Sequence, residues 1–116
     1  MRGRTRLSAD VGPLGELVKT NSYIPHMRFA WDQKKSSNNF AKHGVSFEEA
    51  ATVFGDPLSN TFPDPDHSME EQRFVIIGLT TQGRIIVVAH TDDGEIVRII
   101  SAREATHGER KSYEEG

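Results

Sequence analysis

Three runs rich in branched apolar residues, 73–79, 84–91 and 95–101, follow one another with only Thr80-Thr81-Gln82-Gly83 and Asp92-Asp93-Gly94 between them. Connections this short and ending in glycine join antiparallel strands, because a parallel crossover needs roughly a dozen residues or more. The second half of the chain is therefore committed to consecutive hairpins. Within it, Ile85-Ile86-Val87-Val88 is apolar at successive positions, so both faces of the sheet require a cover. N-terminal helices can supply one cover. The C-terminal segment, or another protein, must supply the other.

The residues before the hairpins provide those helices. Arg28-Phe29-Ala30-Trp31 alternates and reads as a short strand, and Asp32 is a good N-cap for a helix running to about Lys42. Gly44 follows as a left-handed stop. Ser46-Phe47-Glu48-Glu49 is written as a capping box with acids in the first turn. The helix it opens carries Phe47, Ala50, Ala51 and Phe54 on one face, and Gly55-Asp56-Pro57 ends it. Residues 58–62 are expected as a strand, followed by Pro63-Asp64-Pro65-Asp66 as a stiff acidic loop. Residues 102–115 are expected as a polar final helix weakened by Gly108. The predicted order is β-α-α-β-β-β-β-α, an α+β domain on an antiparallel sheet with two N-terminal helices and a C-terminal one.

With 116 residues there is room for one core. Net charge is −3, so a broad basic surface for nucleic acid is excluded and any such contact is local. Zero cysteines exclude disulfides, thiolate catalysis and Cys-ligated zinc. No stretch approaches the roughly 18 to 20 apolar residues of a membrane span. Residues 1–26 differ from the rest: Arg2, Arg4, Arg6 and Lys19 against Asp10 and Glu16 give +2, leaving −5 for 27–116. Their Gly, Pro and Ser content and the second methionine, Met27, predict a disordered or mis-started extension ahead of a functional domain at 27–116.

Candidate chemistry depends on strand register. A two-residue Gln82-Gly83 loop would set Val75 opposite His90 and put Arg73 and His90 on one face. A three-residue Asp92-Asp93-Gly94 loop would add Arg98 to that face; a two-residue Asp93-Gly94 loop would place Arg98 on the other. On the first option Arg73, His90 and Arg98 form a cationic cluster able to hold a phosphate and move a proton near neutral pH. The alternative is that these side chains reach solvent or pair with Asp66 or Glu71. Lys42 and His43 sit where a helix C-terminus favours cations, while Lys111 and Tyr113 lie on the last helix among Glu–Arg pairs. Asp64, Asp66, His67, His90 and Asp92 contain metal-ligand types, but no metal-site spacing joins them.

From Met27 onward, Phe29-Ala30-Trp31-Asp32, Asn39, Lys42-His43-Gly44-Val45-Ser46-Phe47-Glu48-Glu49-Ala50, Phe54, Asp56-Pro57, Arg98-Ile99-Ile100-Ser101-Ala102-Arg103 and Tyr113 recur in the order and spacing of the BrnT family of bacterial type II toxins. The resemblance covers 27–116 and none of 1–26. It implies a RelE-like fold and a cytoplasmic, metal-independent endoribonuclease without cofactor, which cuts mRNA on or off the ribosome and restrains translation and growth. It also implies a BrnA-type antitoxin of the ribbon-helix-helix class, through which alone the complex meets DNA and represses its own promoter. In such enzymes the ribose 2′-OH attacks the adjacent phosphate. By resemblance Arg98 and Arg103 contact the phosphate, Arg73 is a third cation, His90 transfers protons, and Lys42, His43, Lys111 and Tyr113 touch RNA. The acidic turn Asp92-Asp93-Gly94 and the sequence Thr106-His107-Gly108 depart from a more basic pattern. That departure favours a weak or context-bound nuclease, and an alternative is a catalytically weak module that mainly binds antitoxin.

Overall fold

The computed structural model describes residues 7–11, 17–21, 27–64 and 72–116. Its strands are β1 (Leu7–Val11), β2 (Leu17–Asn21), β3 (Arg28–Trp31), β4 (Asn60–Pro63), β5 (Phe74–Leu79), β6 (Ile85–Asp92) and β7 (Ile96–Glu104). Its helices are α1 (Gln33–His43), α2 (Phe47–Ala51), which runs into a 3-10 turn at Thr52–Gly55, and α3 (His107–Glu115). From Arg28 on, this is the β-α-α-β-β-β-β-α order expected. The strands form one sheet ordered β1-β2-β3-β7-β6-β5-β4.

The sheet is mixed, which corrects the antiparallel expectation: β3 runs parallel to β7, with Phe29 beside Val97 and Ala30 beside Arg98. Hairpin loops fix the direction only of strands that are neighbours in sequence. The direction of β3 is set instead by the helices, which carry the chain from one side of the sheet to the far edge strand. The expected extension also differs where it is described. Residues 7–11 and 17–21 form an antiparallel ribbon, and β2 pairs with β3; the rest of 1–26 lies outside the described residues, as do residues 65–71 of the acidic loop.

Helix starts and stops follow the local chemistry. The Asp32 carboxylate accepts the Lys34 and Lys35 amides at 2.8 and 3.2 Å. Gly44, at φ 70°, ends α1 in the left-handed region that glycine enters without steric cost. Of the expected capping box at α2, only one half forms: Ser46 Oγ accepts the Glu49 amide, whereas the Glu49 carboxylate is used elsewhere. The complete box stands at α3, where Thr106 and Glu109 satisfy each other's amides. That box starts α3 at His107, so residues 102–104, expected as helix, extend β7. The strand expected at 58–62 begins at Asn60 because Asp56 holds Leu58 and Ser59 in a turn.

Both hairpins differ from the predicted registers. Thr80 pairs with Arg84 around a three-residue loop, with Gly83 at φ 86° and the Thr80 hydroxyl accepting the Gln82 and Arg84 amides. The slip of one residue places Phe74, not Val75, opposite His90. At the second turn Asp92 accepts the Gly94 amide and Asp93 accepts those of Glu95 and Ile96. The acids that depart from the family pattern thus build the turn. Thr91 then faces Arg98 and His90 faces Ile99, with a bulge between Ala89 and His90.

Partner residues share a face, so the register sorts the sheet. One face carries Phe29, Trp31, Ile76, Ile86, Val88, Val97, Ile99 and Ala102 against Val45, Phe47, Ala50, Ala51 and Val53 of the helical layer, the main core. The other carries Val75, Ile77, Ile85 and Val87, covered by Ala105 and the Tyr113 ring of α3. The C-terminal segment is therefore the second cover.

Candidate functional site

The second face, beyond the part covered by α3, gathers arginines. Arg98 of β7 lies beside Thr91 of β6. Continuing the β5–β6 register by one residue from the Phe74–His90 pair sets Arg73 on the other side of Thr91. The two arginines stand two strands apart, with about 10 Å between their backbones. The row continues to Ala30 on β3 and, through the hydrogen bond from the Asp64 amide to the Arg73 carbonyl, to Asp64 beside β4. Arg28 shares this face two residue pairs along β3, beside Ile96. Arg73, Arg98 and Arg28 are each half-buried.

Arg103 belongs to the same face, since it pairs with Val87, but it lies further along β7 toward α3. Its guanidinium binds Glu109 through both nitrogens, at 2.7 and 3.0 Å. This pair holds the Glu109 carboxyl down to about 2, first through the hydrogen bonds from Arg103. Tyr113 packs its ring on the α3-covered patch and donates its hydroxyl to Asp56 Oδ2 at 2.5 Å. Burial, and then the Asp56 carboxylate, push its phenol up to about 12. Lys111 is exposed on the same helix.

His90 does not join the arginines. The one-residue slip turns it onto the helix-covered face, where it is 3% exposed between Phe54, at 4.8 Å edge-on, and Phe74, stacked at 5.9 Å. Burial lowers its pKa and so favours the uncharged ring. Lys42 and His43 are exposed at the C-terminal end of α1, next to Gly44, whose carbonyl accepts Arg84 Nη2 at 3.0 Å. Arg84 and Thr91 stand at opposite ends of β6, about 23 Å apart. The eight expected site residues therefore divide. Arg73 and Arg98 form one row, Arg103, Lys111 and Tyr113 lie toward α3 on the same side of the sheet, and His90, Lys42 and His43 lie elsewhere.

Sequence reading missed a second constellation, centred on Arg84. Glu49 is 4% exposed and accepts Arg84 Nε and Nη2 at 3.0 and 2.5 Å and the Thr80 hydroxyl at 2.9 Å. Arg84 also reaches Glu104 at 3.0 Å. These hydrogen bonds from Arg84 hold the Glu49 carboxyl below its ordinary value despite burial. The network ties the first hairpin to α2 and to β7. Its acid was disguised as a capping residue; the one hint was that it stands beside Ala50 and Ala51 on the apolar side of the helix rather than with Glu48. Among the resemblance residues, Asn39 is another internal clamp: buried, it donates to the Val45 and Ala102 carbonyls and accepts the Ala102 amide.

Among the described residues no three His, Asp or Glu side chains gather where they could hold a metal ion; Asp66 and His67 lie outside them. Among the described residues, too, no helix is long and apolar enough to cross a membrane.

A family model described as "Ribonuclease toxin, BrnT, of type II toxin-antitoxin system" matches residues 31–109. Among solved structures the chain is similar to the Brucella abortus ribonuclease toxin BrnT, with 29% identity and a TM-score of 0.52. That match covers 66% of this chain and 94% of the other. No match is found among curated proteins.

Proposed function

The chain belongs to the BrnT family of ribonuclease toxins of type II toxin–antitoxin systems, and from that premise we propose that it is a RelE-like, metal-independent endoribonuclease that cuts mRNA and thereby arrests translation and growth. Family membership implies an antitoxin partner; the proposed one is a BrnA-type ribbon-helix-helix protein, with the complex repressing its own promoter. The functional domain is proposed to begin near Met27, in keeping with a family match that starts at residue 31.

What supports the site is the row set by the β6–β7 register and by extending the β5–β6 register one residue, in which Thr91 is buried between the half-buried Arg73 and Arg98. Cleavage by this route forms a bond from the ribose 2′-oxygen to phosphorus and breaks the bond to the 5′-oxygen, leaving a cyclic phosphate and a 5′-hydroxyl. The 2′-proton departs to water or a base, and the leaving oxygen takes up a proton. Charge grows on the non-bridging oxygens, and a guanidinium is suited to it because it stays protonated and presents paired donors. Arg98 and Arg73 are assigned that contact. Arg103 joins them only by exchanging Glu109 for phosphate. His90, buried on the opposite face, is assigned to the core. Lys42, His43 and Lys111 are left as remote electrostatic contacts.

The test is RNA cleavage in vitro with and without EDTA, and growth on induction, comparing wild type with folded Arg98→Ala and Arg73→Ala. Loss of cleavage in both variants supports the assignment. The engaged Arg103 and buried His90 favour a second reading, a catalytically weak antitoxin-binding module. Tight binding of antitoxin with cellular RNA left intact would select it.

A further inference from the structure

The edge strand β4 exposes an aromatic ring at the sheet surface. Every residue of Asn60–Pro63 is exposed, and Phe62 is 52% exposed although burying a phenyl ring is worth about 2 kcal/mol or more. Phe62 pairs with Val75, Val75 with Ala89, and Ala89 with Ser101. This row crosses the second face of the sheet next to the row that holds Arg73 and Arg98. Val75 and Ala89 are half-buried, Val75 at the margin of the α3-covered cluster, and Ser101 is exposed, so beyond that margin the strip is lined by small side chains. Phe62 and Arg73 sit on adjacent strands two residue pairs apart, about 8 Å between backbones, and Arg98 lies about 16 Å from Phe62.

We propose that Phe62 is a substrate-positioning residue on which a base of single-stranded RNA stacks, while the backbone of the same strand runs over Arg73 and Arg98. The inference rests on the ribonuclease reading above and names how the substrate lies. Flat sheet faces that present an aromatic ring beside cations hold single strands in this way, because every base has a face to stack and every phosphate a charge to pair.

The experiment uses the full chain and a short single-stranded RNA, with the same RNA carrying a 2′-deoxyribose at the cut site as a non-cleavable probe. Phe62→Ala is expected to raise KM and the probe's Kd about tenfold with kcat within about twofold, the range of one lost stacking contact. Phe62→Trp is expected to restore KM, and its fluorescence to be quenched by the probe; the native Trp31 is 2% exposed and gives a steady background. Leu58→Ala, at a 71% exposed apolar side chain in the preceding turn, is expected to change neither constant. Cleavage by wild type with unchanged KM in Phe62→Ala and no quenching in Phe62→Trp overturns the inference and leaves the ribonuclease reading standing. So does a Phe62→Ala variant that cuts normally but loses antitoxin, since the ring then serves a protein. A wild type that neither binds nor cuts RNA overturns both.

Discussion

Replacing Glu49 by alanine removes the acceptor at the centre of the Arg84 network. Three hydrogen bonds disappear, two from the guanidinium and one from the Thr80 hydroxyl. Taking one partner from a buried ion pair costs about 3–5 kcal/mol when the other is left stranded. Arg84 is not fully stranded: its side chain is 32% exposed and it keeps Glu104 and the Gly44 carbonyl. The expected loss is therefore about 2–3 kcal/mol. With an unfolding entropy of about 2.1 cal/mol/K per residue, that lowers Tm by roughly 8–12 °C in a chain of this length. Urea unfolding followed by circular dichroism reads it directly, with the midpoint falling at constant slope. The carboxyl is held below its ordinary 4.5 by Arg84, so its contribution is complete above about pH 4.5 and is lost as pH falls through the lowered value. Wild type and variant therefore converge in acid. A loss below about 0.5 kcal/mol at pH 7, or a gap that persists at low pH, would refute the view that this pair clamps the hairpin to the helices.

Other expectations follow from single contacts. Asn39→Ala leaves the buried Val45 and Ala102 carbonyls and the Ala102 amide without their partner, and a loss of about 2–4 kcal/mol in chemical denaturation is expected. Tyr113→Phe removes the hydroxyl donor to Asp56 and is expected to cost about 1–2 kcal/mol; in wild type, ultraviolet titration should show one phenol ionising only near pH 12. That phenol stabilises the fold below the unfolded value near 10, and its contribution is lost as pH rises through about 12. His90→Gln is expected to leave the pH dependence of cleavage between pH 6 and 8 unchanged, because the ring is buried on the helix-covered face and turned away from the arginines. A shifted profile in a folded His90→Gln would return it to the site.

The order of elements was legible from Arg28 onward because each depends on a local signal: Asp32 and Gly44 bracket α1, and glycine-ended turns join the last three strands. What sequence left open were quantities that turn on a single atom. The Thr80 hydroxyl accepts two amides of its own loop, adds a residue to it, and so turns His90 from the cationic face to the core. Glu49 reads as a cap because its spacing from Ser46 is right, and only the fold brings Arg84, 35 positions away, within reach. The direction of β3 depends on a crossover through the whole helical layer. For the site, residue types were legible and their grouping was not: Arg73 and Arg98 do meet in one row, on the face opposite His90.

The measurement closest to the centre of these proposals is mapping of RNA 5′ ends after incubation with purified protein, wild type beside Arg73→Ala, Arg98→Ala and the double variant. Each variant is first shown to keep its Tm. The expected result is discrete new 5′-hydroxyl ends with wild type, about 100-fold fewer with Arg98→Ala, and none with the double variant, in line with losing charge contacts to the transition state. Undiminished cleavage at the same positions by a folded double variant would contradict the placement of the active surface on this face of the sheet.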